Sequence, residues 1–456
     1  MGQHIERLAQ FAAQTQWEQI PHEVQQHAKL VFLDTLGVIL AGSVRPEVRE
    51  LRERLSATAG SGATVYARGW PTQDPRTAAL LNGIAGRSIE LCEGLRLVSG
   101  QAAMQVLPGV LAVGEYAKSS GREMMTALVL GYDVAARLCT AFTARPLAHQ
   151  NGQASLLAAA AAGARVRGLD AGDTSRAMRI ATTLLLTPSY TNAVAGATAL
   201  NVAGGMSGFV GALAPELALA GFEAQDDAIE EALGLLVGSD FNPDGLLDEL
   251  GTLWEITRNY FRLYACCNPI HPALDSLQHV LETLHPRPEE IERIDIATYR
   301  FASVMRNPHP PNYFASKYSL PHAAAVLVVK GNAGHAAIDD SALNDPAIAE
   351  LRKRVHVSED PAMSAVAPRL RPARVTVTLK DGRHAAHACE SHRGDFNQPF
   401  DESEIREKFR ELAGLVLTPE GVAHVEAMVN GCDQWTSVGD LTQELRRYGR
   451  TDAEVS

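Results

Sequence analysis

The apolar residues in the first 264 positions repeat at the spacing of helices. In residues 4–15, Ile5 and Leu8 fall on one face, as in an amphipathic helix. Pro21 stands where the next predicted helix, 22–41, begins. The same periodicity predicts further helices at 46–56, 74–89, 102–119, 121–143, 152–168, 175–185, 200–221 and 247–264. This part of the chain is therefore predicted to be all helical.

Four glycines in the predicted helix 200–221 are spaced so that another helix can approach it closely. They are Gly204, Gly205, Gly208 and Gly211. Because large apolar residues lie between them, we expect this helix to pack against others inside a soluble protein.

Alternation of apolar and polar residues begins only in the last third of the chain. Ile294 and Ile296 alternate with polar or small neighbours in 291–301, which predicts a strand. Asp381-Gly382 is typical of the turn of a β-hairpin. Further strands are predicted at 374–380 and 383–389, and further helices at 320–331, 346–357 and within 402–456.

These patterns predict a mainly α protein. Both ends of the chain would form one large all-helical domain, and the mixed segment between them would form an inserted, smaller α+β lid domain. The predicted boundaries are 1–264 for the first helical part, 265–395 for the lid and 396–456 for the C-terminal helical part. A chain of 456 residues is too long for one ordinary core, which agrees with this division.

The composition is that of a soluble globular protein, with 46% apolar and 21% charged residues. A net charge of -12 argues against a nucleic-acid partner, because phosphate binding needs a basic surface. A local basic pocket still allows a small acidic substrate. The N-terminus lacks an apolar signal segment, and apolar runs such as 154–163 are too short to span a bilayer. We therefore expect a cytoplasmic protein with no membrane partner.

The six cysteines do not suggest a metal site. They stand at positions 92, 139, 266, 267, 389 and 432, without a CxxC pair or zinc-type spacing to histidine. The chain also has no P-loop, no GxSxG elbow and no HExxH motif. We expect free thiols in a reducing compartment, and neither a metal nor a cofactor.

The stretch 258–275, where helical patterns give way to strands, concentrates reactive side chains. Arg262, Cys266, Cys267 and His271 lie within it, in a turn interrupted by prolines. A cation, two thiols and an imidazole at a domain crossing are what a ligand cleft needs. The alternative is a linker whose cysteines are buried and whose histidine caps the following helix.

A second segment, 82–94, carries charged residues among apolar ones. Arg87, Glu90 and Glu93 recur at a spacing of three, so they would share one face if the segment is helical. They either form a cleft wall or a surface ion-pair ladder, which would contribute little.

Two further segments combine polar side chains with helix starts. His149 precedes the alanine-rich helix, where a helix N-terminus attracts anions and the imidazole would be a base. Alternatively, Gln150 or Asn151 simply caps that helix. Lys317 and Tyr318 precede the predicted helix 320–331, and the structural alternative there is a cap at Ser319 followed by Pro321 in the first turn.

Several long stretches carry a resemblance that runs nearly from end to end. They are VFLDTLGVILAGS at 31–43, Asn-Gly at 82–83, SGREMMTALVLGYDVAARL at 120–138, AAAAAGARVRGLD at 158–170, YACCNPIHPALDSL at 264–277 and ASKYSLPHAAAVLVVKG at 315–331. On these stretches the chain resembles the MmgE/PrpD family, which includes 2-methylcitrate dehydratase, cis-aconitate decarboxylase and iminodisuccinate epimerase. The resemblance implies a helical domain with a smaller α+β lid, a homodimer, and an enzyme that acts on small carboxylates without metal or cofactor.

The resemblance also implies active-site positions, several of which depart from the family pattern. The family's His-x-x-Asp-x-Asp-Asp motif falls on Arg87, Glu90, Cys92 and Glu93, its His-Pro on Gln101 and Ala102, one lysine on Leu200 and a second on Arg262. Two family histidines are kept, as His149 and His271, and Tyr318 lies near a position used for catalysis. The predicted site is therefore an atypical one.

Such enzymes remove a proton or a carboxylate next to a carboxyl group, through an enolate-like intermediate that cations stabilise. We expect Arg87 and Arg262 to hold substrate carboxylates and His149 to be the base or a donor to the enolate. The predicted catalytic residues are His149, Tyr318 and His271, and the predicted substrate-binding residues are Arg87, Glu90, Gln101, Arg262, Cys267 and Lys317.

Three functions fit these residues. The first is a cofactor-independent lyase, of the dehydratase or decarboxylase type, acting on a small carboxylate. The second is an isomerase or epimerase of a small amino or imino dicarboxylate, which needs two opposed acid and base groups. The third is a carboxylate-binding protein that has lost catalysis. Arg87 and Leu200, in place of the family's histidine and lysine, favour this third function. The departures as a whole favour a substrate other than 2-methylcitrate or cis-aconitate, with one fewer acidic group or with a nitrogen.

Overall fold

Helices dominate the computed structural model, which describes residues 3–56, 62–96, 98 and 100–450. They are α1 (Gln3–Gln14), α2 (His22–Gly42), α3 (Pro46–Ser56), α4 (Pro75–Arg87), α5 (Ala102–Ala117), α6 (Gly121–Ala141), α7 (Ala154–Val166), α8 (Ala171–Ala181), α9 (Tyr190–Ala195), α10 (Leu200–Leu219), α11 (Ala228–Glu231), α12 (His271–Leu284), α13 (Arg300–Ser303), α14 (Tyr313–Ser316), α15 (Leu320–Lys330), α16 (Pro346–Arg352), α17 (Pro361–Val366), α18 (Glu402–Ala413), α19 (Pro419–Asn430) and α20 (Gly439–Tyr448). The prediction of a mainly α protein is confirmed.

The strands are few and mostly short. They are β1 (Ala63–Thr64), β2 (Thr72–Gln73), β3 (Gly94–Leu95), β4 (Phe142–Ala144), β5 (Gly238–Phe241), β6 (Asn259–Tyr260), β7 (Ile291–Thr298), β8 (Val355–Glu359), β9 (Ala373–Leu379) and β10 (His384–Cys389). Four of them form a sheet in the order β10-β9-β7-β8, in which β8 runs parallel to β7 and the other pairs are antiparallel. Helix α12 packs on β9 and β10, and α15 contacts α12 and β8.

Three predicted elements differ from the observed ones. The predicted helix 346–357 stops at Arg352, and its last part is strand β8, because pairing with the distant β7 outweighs the local pattern. The predicted helix 247–264 is instead made of turns, a 3-10 helix at Glu255–Arg258 and the short β6. The predicted helix 74–89 ends at Arg87, so Glu90 and Glu93 lie in the loop that follows it.

Helix α10 lies at the centre of the helical part, in contact with α4, α5 and α7. A Cβ at Gly205 would lie 2.4 Å from the carbonyl oxygen of Leu80, and a Cβ at Gly211 would lie 2.8 Å from that of Ala159. Side chains at these positions would push the helices apart. The close approach predicted from the glycine spacing is therefore confirmed, and it fixes α4, whose last residue is Arg87.

The two ends of the chain meet in space. Helix α18 packs against α2, and buried Lys408 joins the two helices. Its Nζ donates to Asp34 Oδ1 at 2.6 Å and to the Leu91 carbonyl oxygen at 2.8 Å. The boundaries 1–264, 265–395 and 396–456, the lid and the homodimer remain predictions.

Two helices, α6 and α10, have the length and composition of membrane spans, as does the bent pair α2 and α3 if it is counted as one span. The most apolar window of α6 is 94% buried inside this fold, and that of α10 is 61% buried. Their apolar surfaces are therefore largely covered by other helices of the same chain.

Candidate active site

Seven of the nine predicted site residues line one small cavity, which we call the inner cavity. Its lining residues are Arg87, Glu90, Gln101, His149, Tyr190, Tyr260, Arg262, Cys267, Asn268, Pro269, Phe301, Tyr318 and Arg371. They come from the helical part of the chain and from the part that carries the four-stranded sheet. The cavity volume of about 30 Å³ leaves room for about two water molecules. Arg262 and His149, the two residues on which the predicted chemistry depends, therefore face a shared space.

Glu90 joins the two arginines of the cavity into one buried cluster. Its Oε1 accepts a hydrogen bond of 2.7 Å from Arg262 Nη1, and its Oε2 accepts one from Arg87 Nη1. The Tyr318 hydroxyl donates to the same Oε2 at 2.8 Å and accepts from Arg87 Nη2 at 3.1 Å. All four side chains are at most 2% exposed. The alternative of a surface ion-pair ladder is therefore wrong.

Two guanidinium groups share one carboxylate in this cluster, so one positive charge is left over. Burial by itself would raise the pKa of Glu90, but Arg87 and Arg262 outweigh burial and hold that pKa well below its usual range. Glu90 therefore remains ionised at neutral pH. It also has a positive φ of 51°, which is strained for a residue with a side chain, and the two ion pairs hold it there.

Each of the two arginines has one N–H donor without an acceptor among the residues that the structure describes. Arg87 Nε and Arg262 Nε are buried, and neither has a hydrogen-bond partner within the described part of the chain. A buried donor without an acceptor costs free energy, so an added acceptor would be stabilised at this place. Both guanidinium groups also line the inner cavity.

The protonation of His149 follows from its contacts. The backbone N–H of Asn151 donates to His149 Nδ1 at 3.1 Å, so Nδ1 is an acceptor and the proton of the neutral ring is on Nε2. Burial, and after it Arg87, lower the pKa of His149 to about 3. The ring is stacked on Tyr190 with centroids 5.5 Å apart. At neutral pH His149 is thus a neutral, oriented hydrogen-bond donor.

The thiol of Cys267 also lines the cavity, beside the Tyr190 hydroxyl. Burial, and after it Glu90, raise the pKa of Cys267 to about 12, so the thiol is protonated at neutral pH. It lies in the cavity wall as a neutral group and is not poised as a nucleophile. All six cysteines are free, as predicted.

Two predicted site residues, His271 and Lys317, do not line the inner cavity. His271 is the first residue of α12, and its Nε2 lies 3.1 Å from the Cys266 carbonyl oxygen. Helix α12 has no side-chain cap, so the alternative that this histidine caps it is wrong. Lys317 Nζ donates to the Ile338 carbonyl oxygen at 2.8 Å and lies over the Tyr313 ring. Burial lowers the pKa of Lys317 to about 7.

Of the two proposed helix caps, the one before α7 is wrong and the one before α15 is confirmed. Helix α7 begins after Gln153, without a side-chain cap, and the Gly152 N–H donates to Gln105 Oε1 at 2.8 Å, so a cap at Gln150 or Asn151 is wrong. Ser319 accepts from the His322 N–H at 3.1 Å and caps α15, as proposed.

Six residues of the lining were not predicted as site residues. They are Tyr190, Tyr260, Asn268, Pro269, Phe301 and Arg371. Arg371 is 6% exposed, donates from Nη2 to the Arg96 carbonyl oxygen at 3.0 Å and from Nη1 to Asn268 Oδ1. The sequence around Arg371 has no recognisable motif, and only the fold brings it to the cavity. Among the described residues, no group of three or more His, Cys, Asp or Glu is arranged to hold a metal ion.

Glu93, three residues after Glu90, has the opposite electrostatic setting. It is fully buried, and its carboxylate accepts from the Ala103 N–H at 3.0 Å and from the Tyr132 hydroxyl at 2.7 Å. No cation contacts it among the residues that the structure describes. Burial raises the pKa of Glu93 to about 7, although both hydrogen bonds lower it.

This difference predicts a pH effect on stability. The folded state holds a proton on Glu93 up to about pH 7, whereas the unfolded chain releases it near the ordinary pKa of about 4.3. Because the folded state binds more protons between these values, this group's contribution to stability falls as pH rises from about 4.5 to 7. Glu93→Gln should remove that part of the fall, seen as the difference between wild type and variant in urea unfolding at pH 5 and pH 7.5. An equal pH slope for both proteins would contradict the shifted pKa.

The fold and site together define a mainly α protein with a buried, arginine-lined cavity. Sequence models of the MmgE/PrpD N-terminal and C-terminal domains match residues 6–240 and 264–434, so the chain belongs to the MmgE/PrpD family. A cis-aconitate decarboxylase of Aspergillus terreus is 24% identical over 96% of this chain and 95% of its own length. Those of Mus musculus and Homo sapiens are each 23% identical, over 92% and 95% of this chain and 89% and 92% of their own lengths.

Proposed function

We propose that this protein is a cofactor-independent lyase of the decarboxylase type, which removes CO2 from a small carboxylate through an enolate-like intermediate. The observation that carries the proposal is the inner cavity, where a net positive cluster meets a neutral histidine donor. Cations and donors aimed at a developing oxyanion are what an enolate needs. Family membership and the names of the relatives support a lyase in general.

The protonation states favour decarboxylation over dehydration or epimerisation. Dehydration and epimerisation both begin with removal of a proton from carbon by a base. Glu90 is engaged by three donors and has a lowered pKa, and His149 already accepts a hydrogen bond at Nδ1. Cys267 is a protonated thiol. Among the described lining residues, no basic atom both lacks a hydrogen-bond partner and has a pKa near 7. Decarboxylation does not require such a base.

In the proposed reaction the bond between Cα and the departing carboxylate breaks, and CO2 leaves. The bonding electron pair stays on the remaining fragment and spreads into its adjoining carbonyl or carboxyl group. The guanidinium groups of Arg87 and Arg262 bind the substrate carboxylate that remains, and His149 Nε2–H donates to the developing oxyanion. A proton from solvent then adds to the carbon that lost the carboxylate. Tyr318 keeps its own proton, because burial and after it Glu90 raise the pKa of its hydroxyl well above the usual value.

Glu90 limits the number of acidic groups that the site can bind on a substrate. Because this internal carboxylate already takes Nη1 of both arginines, less of each guanidinium is left for substrate oxygens than in a site with two free cations. We therefore propose a substrate with fewer acidic groups than a tricarboxylate such as cis-aconitate. His271 and Lys317 have no proposed contact with it, because their side chains lie outside the inner cavity.

The test is NMR in D2O on a panel of unsaturated and hydroxylated mono-, di- and tricarboxylates. We expect one substrate to be consumed with release of CO2, and one deuterium to enter the product at the carbon that lost the carboxylate. Loss of water without CO2 would instead identify a dehydratase. Deuterium exchange with inversion and no net loss would identify an epimerase. Saturable binding with no reaction would favour the carboxylate-binding alternative.

A further inference from the structure

A much larger space, which we call the outer chamber, adjoins the inner cavity. Its volume is about 970 Å³, at the upper end of the range for pockets that hold drug-sized ligands. Its walls include Leu147, Tyr190, Val194, Phe301, Val304 and Pro368. The outer chamber is therefore far larger and more apolar than a small carboxylate requires.

The two spaces are adjacent. Tyr190, Pro269, Phe301 and Arg371 line both the inner cavity and the outer chamber. A ligand that reaches from one space into the other would pass between these four side chains. The inner cavity alone, with its volume of about 30 Å³, does not enclose even a dicarboxylate.

The charges in the chamber wall are all of one sign. Arg300 and Arg371 are its charged lining residues, and no acidic side chain of the described residues lines it. Arg371 is buried and donates only to a backbone carbonyl and to an amide oxygen, with no carboxylate within ion-pair distance in the described part of the chain. A buried cation without an anion is unfavourable, so this position favours an anionic ligand.

We infer that the substrate is an amphipathic carboxylate, with its acidic head in the inner cavity beside Arg371 and a hydrocarbon substituent in the outer chamber. This rests on the proposed function for the head and extends it by the tail. Leu147, Phe301 and Val304 are 67%, 38% and 51% exposed, so the chamber offers apolar surface that a hydrocarbon chain would cover.

Binding of unreactive analogues tests the tail independently of turnover. Calorimetric titration of the wild-type protein with succinate and a series of 2-alkylsuccinates, from methyl to decyl, should give dissociation constants that fall by up to about fourfold for each methylene that becomes buried. The fall should stop once the chamber is filled. Dissociation constants that do not change with chain length would overturn the inference.

A matched pair of variants tests whether the hydrocarbon chain binds in the outer chamber. Ala195→Trp places an indole inside the chamber and should reduce the gain from chain length, whereas Ala199→Trp, at an exposed alanine outside the chamber, should preserve it. If both variants keep the gain, the tail lies elsewhere and the inference is wrong. If a second copy of the chain covers the chamber instead, Ala195→Trp should change the molar mass in light scattering, with no chain-length dependence in the wild type.

The experiments can contradict the hydrocarbon tail and the lyase activity separately. Tight binding that depends on chain length, without any CO2 release, would support the amphipathic ligand and contradict the lyase proposal. Release of CO2 from a short carboxylate, with no gain in affinity from longer chains, would support the lyase proposal and contradict the hydrocarbon tail.

Discussion

Replacing Glu90 by glutamine is expected to lower the free energy of unfolding by about 3–5 kcal/mol, the cost of breaking a buried ion pair from one side. The variant leaves two buried guanidinium groups, Arg87 and Arg262, side by side without the carboxylate that both now contact. It also removes the ionised acceptor of the Tyr318 hydroxyl. The measurement is equilibrium urea unfolding at pH 7, with a parallel measurement of substrate turnover.

Glu93→Gln is the matched control, because Glu93 is equally buried but has no cation partner among the described residues. Glutamine there can accept from the Ala103 N–H and donate to the Tyr132 hydroxyl, so the expected loss is below about 1.5 kcal/mol. Equal losses for the two variants would show that general burial, and not the charge on Glu90, determines the effect.

The second large effect is expected at His149. His149→Ala should lower kcat/KM about 10²–10³-fold, as does removal of an oxyanion donor. His149→Gln should retain more activity than His149→Ala, because the glutamine amide can place an N–H near the position of Nε2. If His149 were the base, glutamine would be no better than alanine. The measurement is steady-state kinetics on the substrate found by NMR.

The pH profile gives an independent check on the same residue. Because the pKa of His149 is lowered to about 3, its ring stays neutral and kcat should show no titration of this group between pH 5 and 8. An activity that rises through a pKa near 6.5 and loses that step in His149→Gln would identify a titrating base instead. His309→Ala, at an exposed histidine, is the control and should leave the kinetics unchanged.

The sequence located much of the candidate site. Arg262 and Cys267 stood out because they lie in a short proline-rich turn where helical patterns end, and Arg87, Glu90 and His149 because they interrupt apolar helical runs. The structure brings all five to one cavity. The same reasoning did not find Arg371, because a single arginine before a strand has no local signature. It also placed Lys317 and His271 in the site, although their side chains bond to backbone carbonyl oxygens elsewhere.

Local patterns determined the helices, the hairpin and the close approach of α10, because periodicity and glycine spacing act over a few residues. They did not determine strand β8, whose partner β7 is distant in the chain. The tertiary structure alone decided the chemistry of the cavity. It placed one carboxylate, Glu90, between two arginines and fixed the proton of His149 on Nε2, since burial and hydrogen-bond partners from distant segments set the protonation of each group.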